Sequence, residues 1–137
     1  MSADEEDSTA TFHALMPFTG MIGIEVLVYR PAEVRARLAW SDQLCTANGA
    51  MHGGAIMTLA DSTGAACGFL NLPEGAQGTT TIESKANFFR ALRAGYAEAV
   101  TRPLHVGRTV IVLETDVVDD RLALVARVTQ SQLVLTR

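Results

Sequence analysis

The sequence predicts one α+β domain in which antiparallel strands pack against a single long helix. Apolar residues alternate with a period of two over most of the 137-residue chain, as in strands with one buried face. Residues 51–70 instead form one long apolar stretch with a single acidic side chain. Two glycines on one stripe of that stretch, Gly64 and Gly68, predict that another group packs closely there, because glycine weakens a helix. Consecutive strands with one helix among them indicate the α+β class.

The composition suits a single folded domain. Apolar residues make up 48% and charged residues 19% of the chain, which favours a globular protein. The net charge of −4 argues against broad nucleic-acid binding. No apolar run reaches the roughly 18 residues of a membrane span, and the acidic start lacks the order of a signal peptide. Cys45 and Cys67 match no metal or redox spacing, so we expect a reducing, cytoplasmic setting.

Short elements are predicted on both sides of the long helix. Residues 1–10 are acidic, and we expect a flexible lead-in there, followed by the domain over 11–137. Residues 12–18 could form a short helical turn that packs an aromatic side chain onto the domain. Residues 22–29 and 33–40 alternate on either side of a break, which predicts a hairpin with one buried face. Four more strands are predicted after the helix: 79–89, 94–102, 109–118 and 122–135.

The long helix shows almost no polar face. Between residues 43 and 73, Asp61 is the only formally charged side chain apart from His52. A helix on the surface of a monomer normally turns a polar face to water. We therefore expect a second copy of the chain to cover what the sheet leaves open, which makes the protein a homodimer at least. A lone buried carboxylate is costly, so Asp61 is either held by backbone donors or works in a largely dry site.

The start of this helix offers free backbone donors. Gly53 and Gly54 follow His52, and the first N–H groups of a helix lack intrahelical partners. The Gly53 N–H could hold the oxyanion that develops on a thioester or other acyl carbonyl. Asp61 could act as a general base on water or attack the carbonyl itself. Because Asp61 lies ~13 Å along the helix from His52, the two groups should come from different subunits if they serve one carbonyl.

His52 and Thr81 are further candidates for catalytic roles. His52 could be a base, but no serine or cysteine is placed as its nucleophile, and we expect it to hold the loop by hydrogen bonds. Thr81 could hold a water, although threonine is common in strands for its β propensity. The histidines show no ligand spacing, so no metal site is expected.

The segment HGGAIMTLAD, with CTANGAM before it and TTTIESKANFFRAL after it, resembles the hot-dog-fold acyl-CoA thioesterases of the phenylacetate-pathway (PaaI-like) type. The resemblance extends from Ile22 to the end of the chain. It implies a six-stranded antiparallel sheet wrapped around one long central helix, in dimers and often tetramers with active sites at the dimer interface. It also implies an acyl-CoA substrate, with coenzyme A as part of the substrate and no separate cofactor.

The resemblance assigns roles to individual residues. Asp61 corresponds to the catalytic acidic residue, as base or nucleophile, and Gly53 to the residue whose N–H polarises the thioester carbonyl. His52 corresponds to the histidine that supports the loop and the substrate. Thr81 corresponds to a serine or threonine that helps to hold the water.

The chain departs from the family at one position. Many relatives carry an asparagine six residues before the histidine, where this chain has Thr46. Asn48 lies two positions later and could replace it, and with Gly54 these residues are candidates for binding the substrate. Coenzyme A carries phosphates, so basic side chains should line the outer part of the site. Three arginines near predicted strand ends or turns are the candidates: Arg90, Arg102 and Arg108.

The leading hypothesis is an acyl-CoA thioesterase that releases a free acid and coenzyme A. One alternative is a hot-dog hydratase or dehydratase that uses His52 and Asp61 as an acid–base pair. The other is a non-catalytic module that binds acyl-CoA. Both an aryl and a fatty acyl group in the substrate are compatible with the sequence, as are a dimer and a tetramer.

Overall fold

The computed structural model describes residues 1–136, so that Arg137, at the end of the predicted domain, lies outside it. Two 3-10 turns, Asp42–Leu44 and Ala47–Gly49, lie in the loop before the longest helix. The helices and strands of the described range are, in chain order, α1 Ala3–Leu15, α2 Pro17–Ile22, β1 Glu25–Arg30, β2 Glu33–Ala39, α3 Gly53–Leu70, β3 Gly78–Phe88, β4 Tyr96–Val106, β5 Val110–Val118 and β6 Leu124–Leu135.

The strands form one antiparallel sheet in the order β1-β2-β4-β5-β6-β3. Helix α3 lies across one face of this sheet and packs against β2, β4, β5, β3 and β6. Its Leu59 and Ala60 are fully buried, as are Leu38 of β2 and Leu113 of β5. The predicted α+β class, with six antiparallel strands and one long helix, is confirmed.

The two edges of the sheet differ in what covers them. Helix α1 covers β1, where the Val26 N–H donates to Thr9 Oγ1 at 2.9 Å. Within the described residues, no strand pairs with the outer edge of β3. Ile82 and Phe88 of β3 are 58% and 49% exposed. A long, open, partly apolar edge strand is a template for pairing with another chain.

The N-terminal segment forms helix α1, where the sequence suggested a flexible lead-in over residues 1–10. A capping box opens α1, because Ser2 Oγ accepts from the Glu5 N–H and the Glu5 carboxylate accepts from the Ser2 N–H. Two otherwise unpaired donors are thereby satisfied. Phe12, farther along α1, is fully buried and anchors the helix on the sheet, as expected for an aromatic in this region.

Two strand boundaries differ from the prediction by three residues or more. β1 begins at Glu25 rather than Ile22, because α2 continues to Ile22 and ends at Gly23, whose φ of 84° suits glycine. β4 runs past Arg102 to Val106, with a shift in its pairing to β5 next to Pro103. Proline cannot donate to the ladder, and an irregularity in the pairing accommodates it.

A β-bulge interrupts β3 between Thr81 and Glu83. Thr81 pairs with the buried Gln132, whereas Glu83 pairs with Ser131, the next residue of β6. Residues directly opposite each other point to the same face of a sheet, so Thr81 faces α3 and Glu83 faces outward. The bulge adds a residue to the strand, so alternate residues on its two sides do not share one face.

Candidate active site

His52 caps the start of α3. Its Nδ1 accepts a hydrogen bond from the Gly54 N–H at 2.7 Å, so that donor is engaged and is not free for a substrate carbonyl. The Gly53 N–H, by contrast, makes no hydrogen bond within residues 1–136. His52 thus caps α3, and the donor left available to a ligand is the Gly53 N–H.

Gly53 lines a cavity of about 340 Å³ next to the end of β3. The Phe88 ring lies over it, since a Cβ on Gly53 would be 3.4 Å from Phe88 Cζ. Phe89 and Arg90 line the same cavity, and the Arg90 side chain is exposed at its rim. The free N–H is therefore flanked by aromatic rings and one positive charge, which suits a ligand with an anionic part.

Asp61 lies on the open stripe of α3, two turns beyond its start. Residues three and four apart share a helix face, and this stripe runs through Thr58, Asp61, Ala65 and the exposed Phe69. The carboxylate oxygen Oδ1 accepts a hydrogen bond from Gln130 Nε2 at 2.9 Å. Burial raises the pKa of Asp61, and the Gln130 hydrogen bond opposes that rise. One side of the carboxylate is enclosed by protein and the other is open to a ligand.

An apolar cavity of about 300 Å³ lies one turn of α3 beyond Asp61. Ala65 and Phe69 form its α3 wall, and Gly78 and Thr79, at the start of β3, form another. Tyr29 of β1 also lines it, and burial raises the pKa of its phenol. The cavity is large enough for a small apolar group held next to Asp61.

Thr81 faces α3 next to a second glutamine, Gln132, which packs against Gly68. Its Oγ1 accepts a hydrogen bond from Gln132 Nε2 at 2.6 Å, which leaves the Thr81 hydroxyl hydrogen free for another partner. Gln130 and Gln132 are neighbours on the inner face of β6, and both are almost completely buried. Neither glutamine is predicted as a site residue from the sequence. The available signal was two polar residues at inward positions of a strand that is otherwise apolar on that face.

Thr46 and Asn48, the candidates to replace the asparagine of many relatives, lie in the loop before α3. Asn48 has a φ of 63° and its carbonyl accepts from Arg93 Nε at 3.3 Å. Asparagine tolerates this left-handed conformation better than most residues, so the turn accounts for Asn48. The Thr46 N–H donates to the Ala50 carbonyl at 2.8 Å. Neither side chain makes a hydrogen bond to the part of the chain described.

Of the three candidate arginines, the structure brings Arg90 to Gly53. Arg102 lies inside β4 rather than at its end, and its guanidinium is 2.8 Å from Glu33. That ion pair accounts for Arg102 without a ligand. Arg108 is exposed in the turn between β4 and β5.

No group of three or more His, Cys, Asp or Glu side chains in the described range is placed to hold a metal ion. Burial raises the pKa of the Cys67 thiol to about 11, and its Sγ lies 3.6 Å from the Pro31 carbonyl. Such a thiol stays protonated and is a packing group rather than a nucleophile. Across residues 1–136, every helix is too short or too polar to cross a membrane.

Residues 48–126, more than half of the chain, match the family model described as Thioesterase superfamily. The 1,4-dihydroxy-2-naphthoyl-CoA hydrolase of Escherichia coli (strain K12) is 37% identical over 73 residues, which are 53% of this chain and 53% of that protein. The chain thus aligns with about half the length of this relative. The matched family segment contains Gly53, Asp61 and Thr81.

Two solved structures share the fold over most of the chain. Thioesterase HI1161 from Haemophilus influenzae has a TM-score of 0.87 at 22% identity, covering 99% of this chain and 93% of that one. A mutant of the phenylacetic acid degradation protein PaaI from Thermus thermophilus has a TM-score of 0.79 at 27% identity, covering 87% and 99%. The expected likeness to hot-dog thioesterases of the PaaI type is confirmed.

Proposed function

Because this chain belongs to the Thioesterase superfamily, we propose that it hydrolyses acyl-CoA thioesters to a free carboxylic acid and coenzyme A. The observation that carries this proposal is the pair of groups on α3. The Gly53 N–H is an unengaged donor at the helix start, and Asp61 presents a carboxylate on the open stripe. The coenzyme A part of the proposal is supported by the name of the Escherichia coli relative, which is a hydrolase of a CoA thioester.

The two groups have complementary tasks in this reaction. Asp61 takes the proton of a water as that water attacks the thioester carbonyl, or attacks the carbonyl itself. The oxyanion that forms accepts a hydrogen bond from the Gly53 N–H. The carbon–sulfur bond then breaks, the acyl group leaves as the acid, and the sulfur takes up a proton as coenzyme A departs. The free hydroxyl hydrogen of Thr81 is available to hold the attacking water.

One subunit cannot supply both groups to one carbonyl. Gly53 and Asp61 are separated by about 12 Å along α3 at 1.5 Å per residue. A general base and an oxyanion donor must each lie within about 3 Å of the reacting atoms. We therefore assign the two groups of each site to two subunits of a homodimer.

The open edge of β3 supports this arrangement. Two copies of the same strand related by a two-fold axis pair in antiparallel fashion, so the Phe88 end of one β3 would lie beside the Gly78 end of the other. Phe88 covers Gly53, and Gly78 lines the cavity one turn beyond Asp61. Pairing along β3 would thus carry Gly53 of the partner subunit toward Asp61.

The surroundings suggest how an acyl-CoA would be oriented. The apolar cavity lined by Tyr29, Ala65 and Phe69 would take the acyl group. The cavity beside Gly53 would take the pantetheine arm, with Arg90 at the rim available to the phosphates. The proposed reaction uses water and side chains without a metal or other cofactor, and we place it in the cytoplasm.

The experiment is free-thiol release by the wild type and Asp61→Asn over aryl, short, medium and long acyl-CoA substrates. Loss of the carboxylate should lower kcat by about 10²- to 10⁴-fold while the protein stays folded. Asp42→Asn, at an exposed loop aspartate, is the matched control and should retain the wild-type rate. Full activity of a folded Asp61→Asn would contradict the proposal.

Two further readouts separate the alternatives. A change in enoyl absorbance without thiol release would indicate a hydratase or dehydratase. Binding of every substrate without turnover would indicate a non-catalytic module. The structure gives no support to a hydratase or dehydratase that uses His52 and Asp61 as an acid–base pair. His52 Nδ1 already accepts a hydrogen bond from the Gly54 N–H, and no hydrogen bond joins His52 to Asp61 in the described range.

A further inference from the structure

We propose that Gln130 is the positioning residue of the Asp61 carboxylate, holding it from the buried side in the orientation and charge state that hydrolysis needs. The proposal rests on the proposed role of Asp61. Gln130 lies on β6, opposite the side of Asp61 that is open to a ligand, so it acts through Asp61 and does not touch the substrate.

The contact between the two side chains is direct. Gln130 Nε2 lies 2.9 Å from Asp61 Oδ1 and 3.4 Å from the Asp61 carbonyl oxygen. The Gln130 side chain is 1% exposed, and its rotation is limited by close packing on all sides. With Oδ1 held by this bond, Oδ2 is the oxygen left to take a proton or to attack.

Gly64 provides the space for this contact. It lies on α3 three residues after Asp61, and a methyl group on Gly64 would overlap Gln130 Oε1. Glycine in the middle of a helix is destabilising by roughly 0.5–1 kcal/mol relative to alanine. The predicted close approach at Gly64 is thus accounted for by the glutamine that reaches Asp61.

The stability of the fold does not explain a glutamine at this position. Gln130 Oε1 is buried with no hydrogen-bond partner in the described range, and so is Oγ of Ser84, which pairs with Gln130 across the strands. A buried acceptor without a donor is destabilising, and an apolar side chain of the same length would avoid that cost. The bond to Asp61 is the favourable contact that the amide makes there.

The bond has a chemical consequence for Asp61. A hydrogen bond donated to a carboxylate favours its charged form, whereas burial favours the neutral form. A general base or a nucleophile must be ionised to act. Gln130 therefore opposes the effect of burial at the residue that has to be ionised, and it does so without introducing a second charge.

The test compares Gln130→Met with Gln132→Met through the pH dependence of thioester hydrolysis. Methionine fills the space of glutamine but donates no hydrogen bond. In Gln130→Met we expect the acid limb of the kcat/KM profile to move up by about one pH unit, and kcat to fall by about 10- to 100-fold at low pH. Gln132→Met, equally buried but bonded to Thr81, should leave the position of the acid limb unchanged.

Thermal unfolding gives an independent readout. Raising the folded-state pKa of Asp61 removes stability once the pH rises through that pKa. The Tm of Gln130→Met should therefore equal or exceed that of the wild type at low pH, where Asp61 is protonated, and fall relative to it as the pH rises. A residue kept only for stability would lower the Tm at every pH and leave the acid limb unmoved, and that result would overturn the proposal. Should Gln130→Met fail to fold, Gln130→Leu likewise donates no hydrogen bond and adds no charge, and it must also raise the acid limb.

The failure of this inference is distinguishable from failure of the proposed function. If Asp61→Asn is inactive and Gln130→Met keeps both the wild-type rate and acid limb, only the role of Gln130 is refuted. If Asp61→Asn is fully active, the proposed role of Asp61 is refuted first, and the role of Gln130 with it.

Discussion

At the scale of single residues, the proposed site depends on the Asp61 carboxylate and the Gln130 amide that donates to it. Asp61 is evident in the sequence because it is the one charged residue of a long apolar helix. Gln130 is not evident, because the two residues are 69 positions apart and meet only through the fold. The sequence could predict that something packs at Gly64, but it could not name the residue that does so.

The raised pKa of Asp61 predicts that the stability of the folded protein depends on pH. Burial raises the pKa of Asp61 in the folded protein above its ordinary value, so the folded state holds this proton more tightly than the unfolded chain. The stabilising contribution is complete below the unfolded pKa and is lost as the pH rises through the folded pKa. Asp61→Asn should therefore have a higher Tm than the wild type at pH 7, with the difference shrinking toward low pH. Melting curves across this range check it, and an unchanged or lower Tm at pH 7 would refute it.

At the scale of elements, the periodic patterns predicted the longest helix and all six strands, with most of their lengths, but not α1. What the patterns missed came from local contacts. The capping box of Ser2 and Glu5 extends α1 through an acidic segment, and the bulge after Thr81 turns Thr81 toward α3. Both are set by hydrogen bonds between particular atoms, which hydrophobic periodicity does not encode.

The start of α3 offers an element-scale prediction. His52→Ala removes the side-chain acceptor of the Gly54 N–H and should lower the free energy of unfolding by about 1 kcal/mol. His52→Asn should retain most of that stability, because asparagine is among the best N-cap residues. Urea unfolding of both variants measures the difference. Equal losses in the two variants would show that His52 does not stabilise the helix as a cap.

At the scale of the whole molecule, the two sheet edges and α3 together favour a dimer. α1 covers the β1 edge, whereas β3 leaves an 11-residue strand with exposed apolar side chains. The sequence predicted a second copy from the shortage of polar residues on α3, and the open stripe around Asp61 and Phe69 agrees with that reasoning. The dimer, and any tetramer built from it, stays a prediction.

The central claim is that each active site combines Asp61 of one subunit with Gly53 of the other. Gly53→Pro removes the N–H at a position where proline is tolerated in helices, and Asp61→Asn removes the carboxylate, so each variant alone should be nearly inactive. A heterodimer of the two contains one site with both defects and one with neither. As a control, heterodimers of Asp61→Asn with Asp61→Ala contain no intact site and should stay inactive.

The most direct measurement is therefore the rate of thiol release by the purified Asp61→Asn/Gly53→Pro heterodimer, prepared by co-expression with two affinity tags. A shared site predicts about half of the wild-type kcat per dimer, since one of the two sites is intact. A heterodimer no more active than either parent would show that each subunit builds its site alone, which would contradict the account.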